Sequence, residues 1–306
     1  ISHGVVLLFL TLISPPYHSV LTVLLLPTCA RSGPTNDTDL LEFPLNLEYL
    51  EAEFFAWGAL GQGLDQLAPA LARGGPRPLG VRRANLDNLT RDVITQFAYQ
   101  EFGHLRAIQG IVAGFPRPLL DLSAKSFATV VDHAMGRKLE PPFDPYANSI
   151  NYLIASYLIP YVGLTGYVGA IPNLQAPASR KLVAGLLAVE AGQDAVIRAL
   201  LYEQAGDRVR PYGITVAEFT GRISELRNAL GHGGVKDEGV VVDRSLGAEG
   251  RVTGNVLAGD ENSVGYGRTP AEILRIVYGS GEERKAGGFY PNGADGHIAK
   301  SYITPI

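Results

Sequence analysis

The chain is predicted to be all-α: a four-helix bundle with a long crossover between its second and third helices, a fifth helix and a Gly-rich C-terminal extension. Three observations predict it. Apolar residues recur at helical spacing over long stretches, the pattern of helices with one buried face. The loops between those stretches are short, implying antiparallel neighbours, except for one connection over residues 114–148. The third observation is Glu101-Phe102-Gly103-His104, whose two polar side chains share a helix face with Ile94, Phe97, Ile108 and Ile111. A carboxylate and an imidazole in an apolar stripe are unfavourable to bury unless something pairs with them.

With 306 residues, 46% hydrophobic and 18% charged, the chain can bury one large core or two modest ones. A formal net charge of −4 and the absence of basic runs exclude a typical nucleic-acid binder. The first thirty residues read differently. Val5 to Ile13 and Val20 to Leu26 are apolar blocks split by Pro15-Pro16, followed by small residues at Thr28 and Ala30. That pattern predicts a secretory signal peptide over residues 1–31. Neither block reaches the ~18 apolar residues of a spanning helix, so no stable membrane span is expected once it is removed. Cys29 is the only cysteine, so the mature chain would carry no disulfide, thiolate metal site or cysteine nucleophile. Asn36-Asp37-Thr38 and Asn88-Leu89-Thr90 are glycosylation acceptor patterns, in keeping with a secreted protein at Asn36 and Asn88.

The bundle is expected over residues 37–231. Its first helix should follow the capping residues Asn36 to Asp39 and run from Leu40 to about Ala72, with Leu41, Leu45, Glu48, Ala52 and Phe55 on one stripe. Glu51 and Glu53 fall on other faces, where Glu53 reads as a surface charge. The second helix should run from Leu86 to Ala113, closed by Gly114 and Pro116, and measure roughly 40 Å. Ser123 to Met135 can form a short helix within the crossover, and Pro141 to Pro145 should be extended or turned. A third helix is expected over Ser149 to Ile171. It contains no charged residue or histidine between Asn151 and Pro172 and is long enough for a membrane. Pro160 and the tyrosines at 152, 157, 161 and 167 instead fit a central bundle helix buried all round. The fourth helix, Ala178 to Ala205, aligns Leu182, Leu186, Glu190, Gln193 and Ile197. Thr215 and Glu218 form a capping box for a fifth helix ending near Leu230. Residues 232–306 read as an irregular extension packed on the bundle, with short strands near Val240 to Val242 and one short helix opened by Thr269-Pro270-Ala271-Glu272.

Carboxylate-bridged di-metal bundles take Glu-x-x-His from each of two helices and a lone Glu from each of the other two. Here Glu48 is the lone Glu of the first helix, and Glu101 with His104 supplies one Glu-x-x-His. Glu190 and Gln193 occupy the second, with an amide where the imidazole belongs. The third helix has no carboxylate, and Tyr161 lies near the expected level. Two readings stay open. Glu48, Glu101, His104 and Glu190 could hold a single iron or manganese ion. They could equally form a metal-free buried network with Gln193 and Tyr161. No residue is assigned a catalytic role. His133, His232 and His297 are isolated and read as surface or loop residues.

Several strings resemble the plant desiccation-related proteins of the ferritin-like superfamily: Asn46 to Phe54, Phe115 to Leu122, Ala155 to Gly163, Val189 to Arg198, Glu218 to Arg227 and Arg268 to Arg275. The similarity covers nearly everything from Asp37 to Ala299. The resemblance implies a ferritin-like bundle and a secreted or wall-associated protein linked to dehydration stress. It also implies that the incomplete metal site belongs to this branch. The expected function is a non-catalytic scaffold or protectant with a degenerate metal site and no certain cofactor. The alternative is a metal-dependent oxidase or peroxide-handling enzyme using iron or manganese. Cell-wall components or a second copy of the chain are the expected partners.

Overall fold

Proline and glycine, rather than loss of apolar periodicity, set the ends of the first helices. The computed structural model describes residues 36–303; the leader expected over residues 1–31 lies outside them. Asn36 caps α1 (Asp37–Glu42) by accepting from the Asp39 N–H at 2.8 Å. Pro44 then interrupts the chain before α2 (Leu45–Leu60), and Gly61 closes α2 in the left-handed conformation, φ 73°. Two single turns, α3 (Leu64–Leu67) and α4 (Pro69–Ala72), follow. The single helix expected from Leu40 to Ala72 is therefore four pieces.

Asp87 caps α5 (Asn88–Gln109), which stops short of the expected Ala113 and leaves Ile111 exposed rather than in the apolar stripe. Residues 110–148 cross over and include α6 (Ala124–Met135), capped by Ser123. The third bundle rod is α7 (Ser149–Tyr157) followed by α8 (Pro160–Ala170). It breaks at Leu158 and Ile159 because Pro160 lacks an N–H and disfavours helical geometry in the residue before it. The most apolar 18-residue window of Ser149–Asn173 has a mean hydropathy of 1.4 and is 72% buried within the bundle. α9 (Pro177–Glu203) is the fourth rod. A two-residue hairpin, β1 (Arg208–Val209) with β2 (Ile214–Thr215), leads into α10 (Val216–Gly231).

α2 packs against α5, and α9 packs against α7 and α8, closing a four-helix bundle with the crossover between its second and third rods. Every residue of α2 from Leu45 to Ala59 is buried. The chain after α10 wraps back onto the bundle. Tyr290 donates to the Asn46 carbonyl at 2.8 Å, and the Asp295 N–H donates to Asn46 Oδ1 at 2.8 Å. The buried guanidinium of Arg198 binds the carbonyls of Gly239, Asn255 and Val256. In this extension the capping box of Thr269 and Glu272 opens α11 (Pro270–Val277) as expected from the sequence. A second helix, α12 (His297–Ile303), also forms. Its sequence carries little helical signal, because it buries only Ile298 and Ala299 and begins directly after a positive-φ glycine, Gly296. The strands expected near Val240 reduce to one isolated bridge between Val241 and Gly254.

Candidate metal centre

Between the first turn of α2, the second half of α5 and the middle of α9, three carboxylates converge on one imidazole. Glu48 comes from α2, Glu101 and His104 from α5 one helical turn apart, and Glu190 from α9. His104 Nδ1 lies 3.1 Å from Glu48 Oε2, 3.3 Å from Glu101 Oε2 and 3.1 Å from Glu190 Oε1. The three carboxylates are 0–2% exposed and His104 7%.

One imidazole N–H cannot serve three oxygens. Only the contact to Glu48 has hydrogen-bond geometry, and Glu101 Oε2 and both Glu190 oxygens have no hydrogen-bond partner among the described residues. Buried carboxylate oxygens without donors are strongly unfavourable. The spacing suggests the missing partner. With ligand bonds of about 2.1 Å, neighbouring ligand atoms around one metal ion stand roughly 3.0–3.4 Å apart. Carboxylate oxygens with one imidazole suit iron or manganese. The residues present fit one such ion.

Two further side chains hold the carboxylates in place. Gln193 Nε2 donates to Glu101 Oε1 at 2.6 Å and also reaches Gln100 Oε1 at 3.1 Å. The hydroxyl of Tyr167 donates to Glu48 Oε1. Tyr161, the tyrosine expected beside the acids, is elsewhere. Its ring lies 5.3 Å from the Arg227 guanidinium, 5.8 Å from Arg198 and 5.9 Å from Arg268. The break before Pro160 explains the difference, because a level counted along one continuous helix does not carry across it.

Glu51 and Glu53 are not at the surface. Glu53 pairs with Arg117 from the crossover, and Arg117 also donates to Asp65 at 3.0 Å and to the carbonyls of Pro76 at 2.9 Å and Gly75 at 3.0 Å. Glu51 is 1% exposed and faces α8 at Gly163. A Cβ on Gly163 would stand 3.1 Å from Glu51 Oε1 and 3.8 Å from Glu190 Oε2. Glu51 thus fills the space where the third rod of a di-metal bundle would place its own carboxylate. The acidic inventory is four carboxylates, not three, and the remaining shortfall is the imidazole that Gln193 replaces. The sequence held one usable signal: Glu48 and Glu51 are three apart, hence close on the same helix.

The electrostatics follow from burial and mutual repulsion. Burial and the neighbouring carboxylates push Glu51 and Glu101 well above the usual carboxylate range. Burial also raises Glu190, to about 7, against the opposing bond from His104. Burial works against the charges of His104 and Glu48 too, but their mutual attraction prevails, raising His104 and lowering Glu48. Without a cation the pocket therefore retains protons. Asn36 and Asn88, the acceptor positions, are both exposed.

Residues 36–203 match the family described as a ferritin-like domain. The chain is 66% identical over 263 residues to the desiccation-related protein PCC13-62 of Craterostigma plantagineum, covering 86% of this chain and 84% of that protein. It is 59% identical over 268 residues to the ferritin-like catalase Nec2 of Nesocodon mauritianus, covering 88% and 86%. No solved structure matches.

Proposed function

The chain belongs to the ferritin-like, desiccation-related proteins, and on that premise we propose that it decomposes hydrogen peroxide at a metal ion held by Glu48, Glu101, His104 and Glu190. One observation carries this reading: three buried carboxylates meet one imidazole nitrogen at 3.1–3.3 Å, with more acceptor oxygens than donors. The 59%-identical relative named a catalase supports peroxide as the substrate. Iron or manganese held by Glu48, Glu101, His104 and Glu190 would supply what the side chains lack, the electron exchange needed to convert two hydrogen peroxides into one dioxygen and two waters.

The chain's own residues orient and move protons. Tyr167 and Gln193 each donate to one oxygen of a carboxylate, leaving the other oxygen of Glu48 and of Glu101 turned toward His104. Glu51 lies beside Glu190 but outside the four converging ligand atoms, and burial keeps it protonated. With its proton in place, it is the group suited to give one of the two protons that the reduced peroxide takes up and to recover one of the two that the oxidised peroxide releases. The extracellular setting is part of the same reading, supported by the leader pattern in residues 1–31 and by the exposed acceptors Asn36 and Asn88.

The test is oxygen evolution from hydrogen peroxide by the purified full chain, loaded with iron or manganese and then stripped by a chelator. Turnover that is lost with the metal supports the reading. A loaded protein without turnover contradicts it. The second reading is a metal-free scaffold, favoured by the buried His104–Glu48 ion pair and the Gln193–Glu101 bond, which together form a partial network without any ion.

A further inference from the structure

One cavity in the fold ends beside this cluster. It has a volume of about 80 Å³ and lies between α1, α2, α8 and α11. Its rim carries exposed Asn173 and Thr269, and its inner wall is formed by Leu47, Gly163 and Tyr167, which are buried. Two of those inner residues adjoin the acids. Tyr167 donates to Glu48, and a Cβ on Gly163 would stand 3.1 Å from Glu51 Oε1 and 3.8 Å from Glu190 Oε2. Glu51 Oε2 and both oxygens of Glu190 have no hydrogen-bond partner among the described residues, so the cavity's inner end lies near unsatisfied buried acceptors.

We propose that this cavity is the passage by which a small neutral peroxide reaches the centre. Size decides what can use it. Sites for cofactors and drug-sized ligands enclose roughly 300–1,000 Å³, whereas a single water needs about 10–15 Å³. A space of about 80 Å³ holds a few small molecules and no sugar or ring cofactor. Chemistry narrows it further. Leu40, Phe43, Pro44 and Ile273 make the walls mainly apolar, so the desolvation penalty for ions is far larger than for neutral hydrogen peroxide. Glycines at 163, 166 and 169 keep the α8 side of the passage open. A Cβ on Gly166 would meet Ile273 Cδ1 at 2.6 Å, which shows how narrow it is there.

This inference rests on the peroxide reading, and two variants outside the ligand set test it separately. Ala170→Leu places a larger side chain on the passage wall near the C-terminal end of α8, and Ile273→Ala widens the passage. Ala170→Leu is expected to lower kcat/KM for hydrogen peroxide by about tenfold or more, with metal content and helical circular dichroism unchanged. Ile273→Ala is expected to raise the rate with tert-butyl hydroperoxide relative to hydrogen peroxide. A readout independent of activity is xenon pressurised into crystals of the metal-free protein, which should occupy the cavity in the parent and be displaced in Ala170→Leu. An unchanged kcat/KM in a folded, metal-loaded Ala170→Leu overturns the passage. So does a parent cavity that takes up no xenon. If the parent has no peroxide turnover at all, the proposed function falls and the peroxide passage falls with it, whereas an unchanged Ala170→Leu in an active parent overturns the passage alone.

Discussion

The side-chain amide of Gln193 donates to Glu101 Oε1 at 2.6 Å. It stands three residues after Glu190, where a complete di-metal bundle has its second imidazole. As a donor it fixes the orientation of a carboxylate that burial and the neighbouring acids hold well above the usual range. Gln193→Leu should therefore weaken manganese or iron binding by about 10–100-fold, the usual effect of losing a group that orients a ligand. Gln193→His should raise the metal held per chain. Equilibrium dialysis with elemental analysis measures both, and a Gln193→Leu variant with parental affinity would show that the amide does not orient Glu101.

Glu51 gives a prediction of a different kind. Glu51→Gln keeps the shape and a hydrogen-bonding head but cannot accept or release a proton. Metal content should stay near the parent's, while turnover of peroxide should fall by about 10²–10⁴-fold, the range for loss of a general acid–base group. The pH profile should flatten as well. A variant that loses both metal and turnover would place Glu51 among the ligands instead.

Stability of the metal-free protein should increase on mild acidification. Burial raises Asp194 to about 6 against the pull of Arg198, and raises Glu190 to about 7. Folded-state values above unfolded ones mean that the folded chain binds extra protons between about pH 4 and 7, so acid favours the fold in that window. His104, held protonated by Glu48, acts in the same direction. Carboxyls held low, such as Asp87 at about 2, where bonds from Ser149 and Thr90 overcome burial, lose their contribution only below that window. Metal binding needs those protons removed, so the stabilisation by metal should shrink as pH falls. Melting curves of stripped and loaded protein at about pH 5 and 8 check both signs. A stripped protein that melts higher at the alkaline end contradicts them.

Arg117 ties the crossover to α2 through Glu53. Arg117→Met leaves Glu53 as a buried charge without its partner and should destabilise the fold by about 3–5 kcal/mol. Adding Glu53→Leu should recover much of that loss, because replacing both members of a buried pair by apolar groups is far less harmful than removing one. Chemical denaturation of the single and double variants measures the recovery. Equal loss in both would show that the pair is not the link.

How legible the molecule was in its sequence depended on whether a segment kept a polar face. α5 and α9 were readable because exposed residues such as Gln96, Arg106 and Lys181 alternate with the buried stripe. α2 has no such face, since α5, α8, the crossover and the C-terminal extension surround it. Glu51 and Glu53 therefore looked like outward charges on the wrong sides of a helix that has no outward side. The four converging residues were legible because Glu101 and His104 fix one helix face and Glu48 and Glu190 lie on apolar stripes. Tyr167 was not, because its partnership with Glu48 depends on how α8 restarts after Pro160.

Metal content decides whether the converging acids are a working site. Full-length protein purified from its native source or a metal-replete host, without chelators, should carry about one equivalent of iron or manganese per chain, the number the four converging ligand atoms fit. Replacing Glu101, His104 and Glu190 together by leucine should abolish that metal while leaving the chain folded and its melting temperature equal to or above that of the stripped parent. A parent protein that carries no metal and gains no stability from added iron or manganese would contradict the account.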